Sequence, residues 1–214
     1  MAAYLSLVND VLARLRETEV ASISSSPYSV LVSKYVNDVK RQVENAWNWE
    51  ALITTLTLTT VGGTSEYTLT GSGTRHKGIS VNNTTDTYPL QNKPLAYIRH
   101  LQQIGTTTDS QPRYYAWSGS NGTDSKVTLW PTPNAVDSIK FNMYVPQVDL
   151  SADGDILLVP DDAVILGAYA RALVERGEDG GLTSGEAYGL YRGLLGDLIS
   201  LEANRSADMD WIAV

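Results

Sequence analysis

The sequence predicts an α+β fold in which an N-terminal and a C-terminal pair of helices form a four-helix bundle, with an antiparallel β-sandwich or barrel lobe inserted between them. Three observations predict it. Apolar residues recur at three- and four-residue steps near both ends of the chain, they alternate with polar ones through the middle, and glycine, asparagine and proline clusters cut that middle into short pieces. The expected divisions are residues 1–50 and 149–204 for the two helix pairs, 51–148 for the β lobe, and 205–214 for a C-terminal anchoring tail. At 214 residues, 43% of them apolar, the chain can bury about 70% of the surface its unfolded form would expose. It therefore needs neither a metal nor a disulfide to fold.

Tyr4, Leu7, Val8, Val11, Leu12 and Leu15 make one apolar stripe, with Asn9, Asp10, Arg14 and Arg16 opposite, which predicts the first helix. Ser26 can cap and Pro27 can open the second, whose stripe runs Tyr28, Leu31, Val32, Tyr35, Val36, Val39, Val43, Ala46 and Trp47, to about Trp49. From Ala51 the period becomes two. Short strands are expected near 53–60, 65–69, 79–82, 113–118, 125–130 and 137–145, and the spacing of Leu95, Ile98 and Leu101 predicts a short helix from Pro94 to Ile104. Pro160, Asp161 and Asp162 then open a helix that Gly177 ends, because acidic side chains suit a helix N-terminus and glycine suits the residue past its end. Thr183 and Glu186 form a capping-box pattern for the last helix, with Ala187, Leu190, Tyr191, Leu194, Leu195, Leu198 and Leu201 expected inward.

Charge is uneven. Residues 1–148 hold 12 basic and 11 acidic groups, while 149–214 hold 4 and 13. An acidic last third repels phosphate and cannot supply the counterion release that drives ordinary nucleic-acid binding, so passing DNA is expected not to stick. No cysteine is present and the only histidines are His76 and His100, which leaves no thiolate or histidine-rich metal site. Arg14 and Arg16 follow the apolar start instead of preceding it, so no secretory signal is expected, and no apolar run reaches the roughly 20 residues of a membrane helix.

Several chemical motifs fail at an identifiable residue. Gly73 to Gly78 has the glycine spacing of a P-loop, but Ile79 stands where lysine must reach the phosphates. Arg75, His76 and Lys77 read instead as an exposed basic loop tip, a candidate contact for DNA or an acidic partner. Asp149, Ser151, Asp153 and Gly154 open like a calcium-binding EF-hand loop, yet its twelfth position is Pro160, and local turns explain the aspartates more simply. No nucleophile elbow or triad is legible, so the chain is read as a non-enzyme with no cofactor and no metal.

Gly185, Gly189 and Gly193 each cost about 1 kcal/mol in a helix relative to alanine. They suit the close approach of another backbone, either within the bundle or from a neighbouring copy, which makes them subunit-interface candidates. Met209, Trp211, Ile212 and Val214 give the tail the large apolar groups of an anchor, seated on a partner or on the chain's own core. Tyr114, Tyr115, Trp117 and Trp130 could form a sugar-stacking face, the alternative function of a carbohydrate-binding or adhesion module, or else core and cross-strand pairs.

The order of these pieces resembles a known family. Leu7-Val8-Asn9-Asp10-Val11-Leu12, Val43-Glu44-Asn45-Ala46-Trp47-Asn48-Trp49, Arg113-Tyr114-Tyr115-Ala116-Trp117, Leu129-Trp130-Pro131-Thr132-Pro133, Asp155-Ile156-Leu157-Leu158-Val159-Pro160 and Ala170 to Asp179 together look like tailed-bacteriophage head-to-tail adaptor (connector) proteins, the tail tubular protein A-like group. The resemblance implies a virion structural protein of the neck, made in the host bacterial cytoplasm and not associated with a membrane. It implies a dodecameric ring below the portal protein, extending the DNA channel and giving tail or nozzle proteins their docking surface, with Met209, Trp211, Ile212 and Val214 engaging the portal.

Overall fold

The structure, a computed structural model, describes residues 2–105, 109–177 and 183–205. Among the described residues it is α+β, with five α-helices and two four-stranded sheets. The chain divides into two units, residues 53–146 and the segments on either side of them.

In the helical unit, α1 (Tyr4–Arg14), α2 (Pro27–Ala46), α4 (Asp161–Arg176) and α5 (Ser184–Ala203) carry the core, and α3 (Leu95–Ile104) belongs to the other unit. The N- and C-terminal helices contact one another: α4 packs on α1, α2 and α5. The expected stripe of α1 is buried from Tyr4 to Leu15, as are Val32, Val36, Val39 and Val43 of α2. Burying such side chains contributes about 1.5–3 kcal/mol each. Ser26 caps α2 by accepting the Ser29 N–H at 3.0 Å, with Pro27 in the first turn. The helix stops at Ala46, short of the expected Trp49. Trp47 turns extended, and the Trp49 indole folds back to donate to the Val43 carbonyl at 2.7 Å, satisfying an acceptor the last turn would leave open.

Helix α1 has no side-chain cap. Its first N–H groups are taken by the backbone of the 150s: Tyr4 donates to Asp155 at 2.8 Å and Leu5 to Asp153 at 3.1 Å. Asn37 fixes the same segment from α2, donating to the Leu150 carbonyl and the Tyr4 hydroxyl and accepting the Leu150 N–H. The two aspartates that opened a calcium-like pattern, Asp149 and Asp153, are engaged in this fold, as is Asp155 beside them. Asp155 accepts the Ser151 and Ala152 N–H groups, Asp153 accepts from Ile23, and Asp149 pairs with Arg41. Two backbone N–H bonds hold the Asp155 carboxyl below its ordinary value.

In the β unit, β1 (Ile53–Thr59), β3 (Lys77–Asn83), β4 (Tyr88–Pro89) and β8 (Ser138–Tyr144) form one sheet in the order β1-β8-β3-β4. The other has the order β2-β7-β6-β5, from β2 (Glu66–Thr68), β5 (Gln91–Asn92), β6 (Tyr114–Ser120) and β7 (Ser125–Trp130). All pairs are antiparallel except β5 with β6, so a short parallel edge departs from the expected all-antiparallel lobe. The two sheets share one core. Ile139, Phe141 and Met143 alternate inward from β8, as their period-two spacing predicts, and Phe141 meets Tyr115 and Trp117 of the other sheet at ring distances of 5.9 and 6.0 Å. Helix α3 (Leu95–Ile104) lies on β6 and β7 and buries only Ile98 completely.

Candidate assembly surfaces

Helix α4 sits at the centre of the helical unit because its side chains are small. Ala163, Gly167, Ala168, Ala170 and Ala172 are buried along with Val164, Ile165 and Leu173. A Cβ on Gly167 would lie 2.6 Å from Val39 Cγ1 and 3.1 Å from the Tyr191 ring, so this glycine permits the close approach of α2 and α5. Sequence reasoning missed Gly167, because a lone glycine among alanines forms no stripe. The helix ends as expected at Gly177, left-handed at φ 63°, whose N–H reaches the Leu173 and Val174 carbonyls.

Helix α5 begins with the expected capping box. Thr183 Oγ1 accepts the Glu186 N–H at 3.2 Å, and the Glu186 carboxylate accepts the Thr183 N–H at 2.8 Å, which holds the Glu186 carboxyl below its ordinary value. Of its expected inward residues, Ala187 and Tyr191 are buried, while Leu194, Leu195 and Leu198 are partly so. Leu190 and Leu201 face outward instead, 53% and 65% exposed. The physical reason is that α5 rests on α4 and buries a narrow strip, while the seven-residue stripe assumed a second helix beside it.

A Cβ on Gly189 or Gly193 would meet nothing within 4 Å, and one on Gly185 would meet only Thr183 Oγ1 at that limit. No backbone among the described residues approaches these three glycines, so packing within the bundle does not account for them. At 100° per residue they fall on the side of α5 opposite Tyr191, together with Gly196 and Ser200.

The three residues expected at an exposed loop tip separate. Arg75 is exposed, and Lys77 is the first residue of β3, opposite Tyr144. His76 is a correction: it is half-buried, its ring centroid 4.2 Å from that of Trp117 and its Nδ1 3.3 Å from Ser125 Oγ. The Asp124 carboxylate accepts the Gly71 and Gly73 N–H groups and so pulls this loop onto the β6–β7 turn. Burial pushes the His76 imidazole below its ordinary value.

The aromatic face considered for sugars is largely core. Tyr115 is buried, Trp117 packs on Phe141, and Tyr114 and Trp130 are cross-strand partners. Met209, Trp211, Ile212 and Val214 lie outside the described residues.

A cavity of about 350 Å³ opens between Trp49, Glu50, Leu158, Asp161, Glu202 and Arg205. Glu202 accepts the Glu50 N–H at 2.9 Å and approaches Arg205 at 3.5 Å, so its carboxylate ties α5 to the chain after α2. Among the described residues no group of three or more histidine and carboxylate side chains is placed to hold a metal. Nor is any described helix long and apolar enough to cross a membrane.

Compared with known proteins, the chain matches the family model described as SU10 adaptor protein over residues 2–211. No curated protein matches it. The match takes in both units, and with it the chain belongs to the SU10 adaptor protein family and is a phage adaptor protein.

Proposed function

We propose that this protein forms a dodecameric ring below the portal in the neck of a tailed phage, extends the DNA channel, and presents a docking surface to tail or nozzle proteins. The helix pairs 1–50 and 149–204 act as one bundle, and 51–148 acts as an inserted sandwich or barrel lobe. The observation that carries this reading is the outer face of α5. Gly185, Gly189 and Gly193 leave it flat, and Leu190 and Leu201 border it with exposed apolar area, an expensive surface for a helix to maintain unless another chain covers it. We place those glycines at the contact between neighbouring subunits.

Met209, Trp211, Ile212 and Val214 anchor the ring to the portal, and Arg75 and Lys77, both exposed, make contacts at the ring's rim. Charge supports a channel that DNA traverses without sequence-specific binding. Residues 53–146 carry 7 basic and 5 acidic side chains and the rest of the chain carries 9 and 19, so the helical part repels a passing duplex. Removing residues 206–214 tests the anchor. The truncated chain should keep its thermal transition and lose portal attachment, and unchanged attachment would refute the anchoring role.

A further inference from the structure

Strand β1 is an open sheet edge that carries none of the usual protection. Among the described residues it pairs only with β8, in unbroken register from Ile53 opposite Tyr144 to Thr59 opposite Ser138. Thr60 continues that register and donates its N–H to the Asp137 carbonyl at 2.9 Å. By the alternation of an antiparallel ladder, Thr54, Leu56 and Leu58 then turn their N–H and C=O groups to β8, and Ile53, Thr55, Thr57 and Thr59 turn theirs outward. Among the described residues no hydrogen bond reaches these outward backbone groups. The other edges are short, since β2, β4 and β5 have two or three residues, and in β4 Pro89 stands where an outward N–H would be. Strand β1 has no proline, glycine or charge, and no charged residue lies between Glu50 and Glu66.

An open edge accepts an extended backbone, and the sequence of β1 fits a copy of itself. Turned antiparallel about Leu56, Thr55 meets Thr57, Ile53 meets Thr59 and Thr54 meets Leu58 of the second copy. That register sets outward residue against outward residue, so each open N–H and C=O on both edges finds a partner. It lays Leu56, half-buried against the core of the β unit, on its own counterpart, and it puts Thr55 and Thr57 together on the exposed face as favourable cross-strand pairs. Charge favours a copy at this place: the chain carries a net charge of -8, yet the two strands that meet hold none, so no like charges face each other. We infer that the free chain pairs with a second copy through β1, merging two four-stranded sheets into one of eight strands. A two-fold contact closes on two copies and does not repeat around a ring, so the pairing belongs to the chain before it joins one and stands apart from the ring reading.

Crosslinking and sedimentation of the full chain test it. The chain has no cysteine, so Leu56→Cys adds a single thiol, which this register places opposite its own copy with Cα atoms about 4.5 Å apart. Oxidised glutathione should link that variant into dimers and leave Thr59→Cys, whose partner is Ile53, unlinked. In analytical ultracentrifugation the unaltered chain should show a concentration-dependent equilibrium of monomer and dimer. Thr55→Glu with Thr57→Glu sets like charges across both central pairs and should weaken association about tenfold or more, with the thermal transition kept, because both positions are exposed and Thr57 lies opposite Lys140. Thr55→Lys with Thr57→Glu sets opposite charges across the same pairs and should restore association. An unaltered chain that stays monomeric, a Leu56→Cys variant that does not link, or a two-glutamate variant that associates like the unaltered chain would overturn the pairing. Equal linking at Thr59→Cys would overturn its register. A monomeric chain whose attachment to the portal is lost in the two-glutamate variant would also overturn it, since the edge would then receive a strand of the portal.

Discussion

Lys40 Nζ lies 3.1 Å from Glu44 Oε1 one turn along α2, and neither side chain reaches solvent. The pair does not stand alone. Lys40 also donates to the Gln147 carbonyl at 2.6 Å, and Glu44 accepts the Gln147 N–H at 3.2 Å. Gln147 is where the chain re-enters the helical unit, and its side chain goes on to hold Ile156 and Leu158. The ion pair therefore sets the position of the returning strand of chain more than it adds net stability, since desolvation offsets most of the attraction between buried charges.

Removing one charge should accordingly be worse than removing both. Lys40→Met is expected to cost about 3–5 kcal/mol in denaturant unfolding, because it leaves a buried carboxylate without its cation. Lys40→Met with Glu44→Leu should recover a good part of that loss. A double variant less stable than the single one would contradict this account.

The glycines of the two C-terminal helices should respond in opposite ways. Gly167→Ala must push Val39 or Tyr191 aside and is expected to cost about 1–3 kcal/mol. Gly189→Ala and Gly193→Ala meet open space and should each stabilise the isolated chain by about 0.4–1 kcal/mol, through helix propensity and lower entropy of the unfolded chain. If neighbouring subunits meet there, the same two substitutions should weaken ring assembly, read as fewer complete rings on the portal.

Acid should loosen the β unit through His76. Burial lowers its folded value beneath the ordinary 6.5, so the unfolded chain takes up a proton first as pH falls. The contribution is fully present above about pH 6.5 and is lost as pH drops through the lower folded value. Thermal melts of His76→Gln from pH 7.5 to 5 should show a flatter decline than the unaltered chain. Parallel curves would rule His76 out as the cause.

Asn37→Leu should cost about 2–3 kcal/mol, since it strips partners from the Leu150 N–H and carbonyl and from the Tyr4 hydroxyl in a buried site. Hydrogen exchange would then rise first at Tyr4 and Leu5, whose N–H groups bond to the segment Asn37 holds.

Periodicity and capping residues made most elements legible. Ser26-Pro27, Asp161-Asp162, Thr183 with Glu186, and Gly177 each mark a helix end with a local mechanism, and the structure has helix ends at each. The alternation of Ile139, Phe141 and Met143 likewise placed β8 and its buried face. What escaped was set by tertiary context. Tyr88–Pro89 and Gln91–Asn92 are too short to show a period, and the stop of α2 depends on an indole three residues past its end. Leu190 and Leu201 carry a core pattern on a helix that has a neighbour on one side, and nothing local distinguishes them from Leu195 or Leu198. His76 looked like part of a basic tip because its ring partner, Trp117, is distant in sequence.

Imaging the purified chain by negative-stain electron microscopy, alone and mixed with its portal, tests the central claim most directly. The account predicts an added twelvefold tier on the portal, absent when residues 206–214 are removed. Portal particles that gain no density, together with a chain that forms no ring at any concentration, would contradict it.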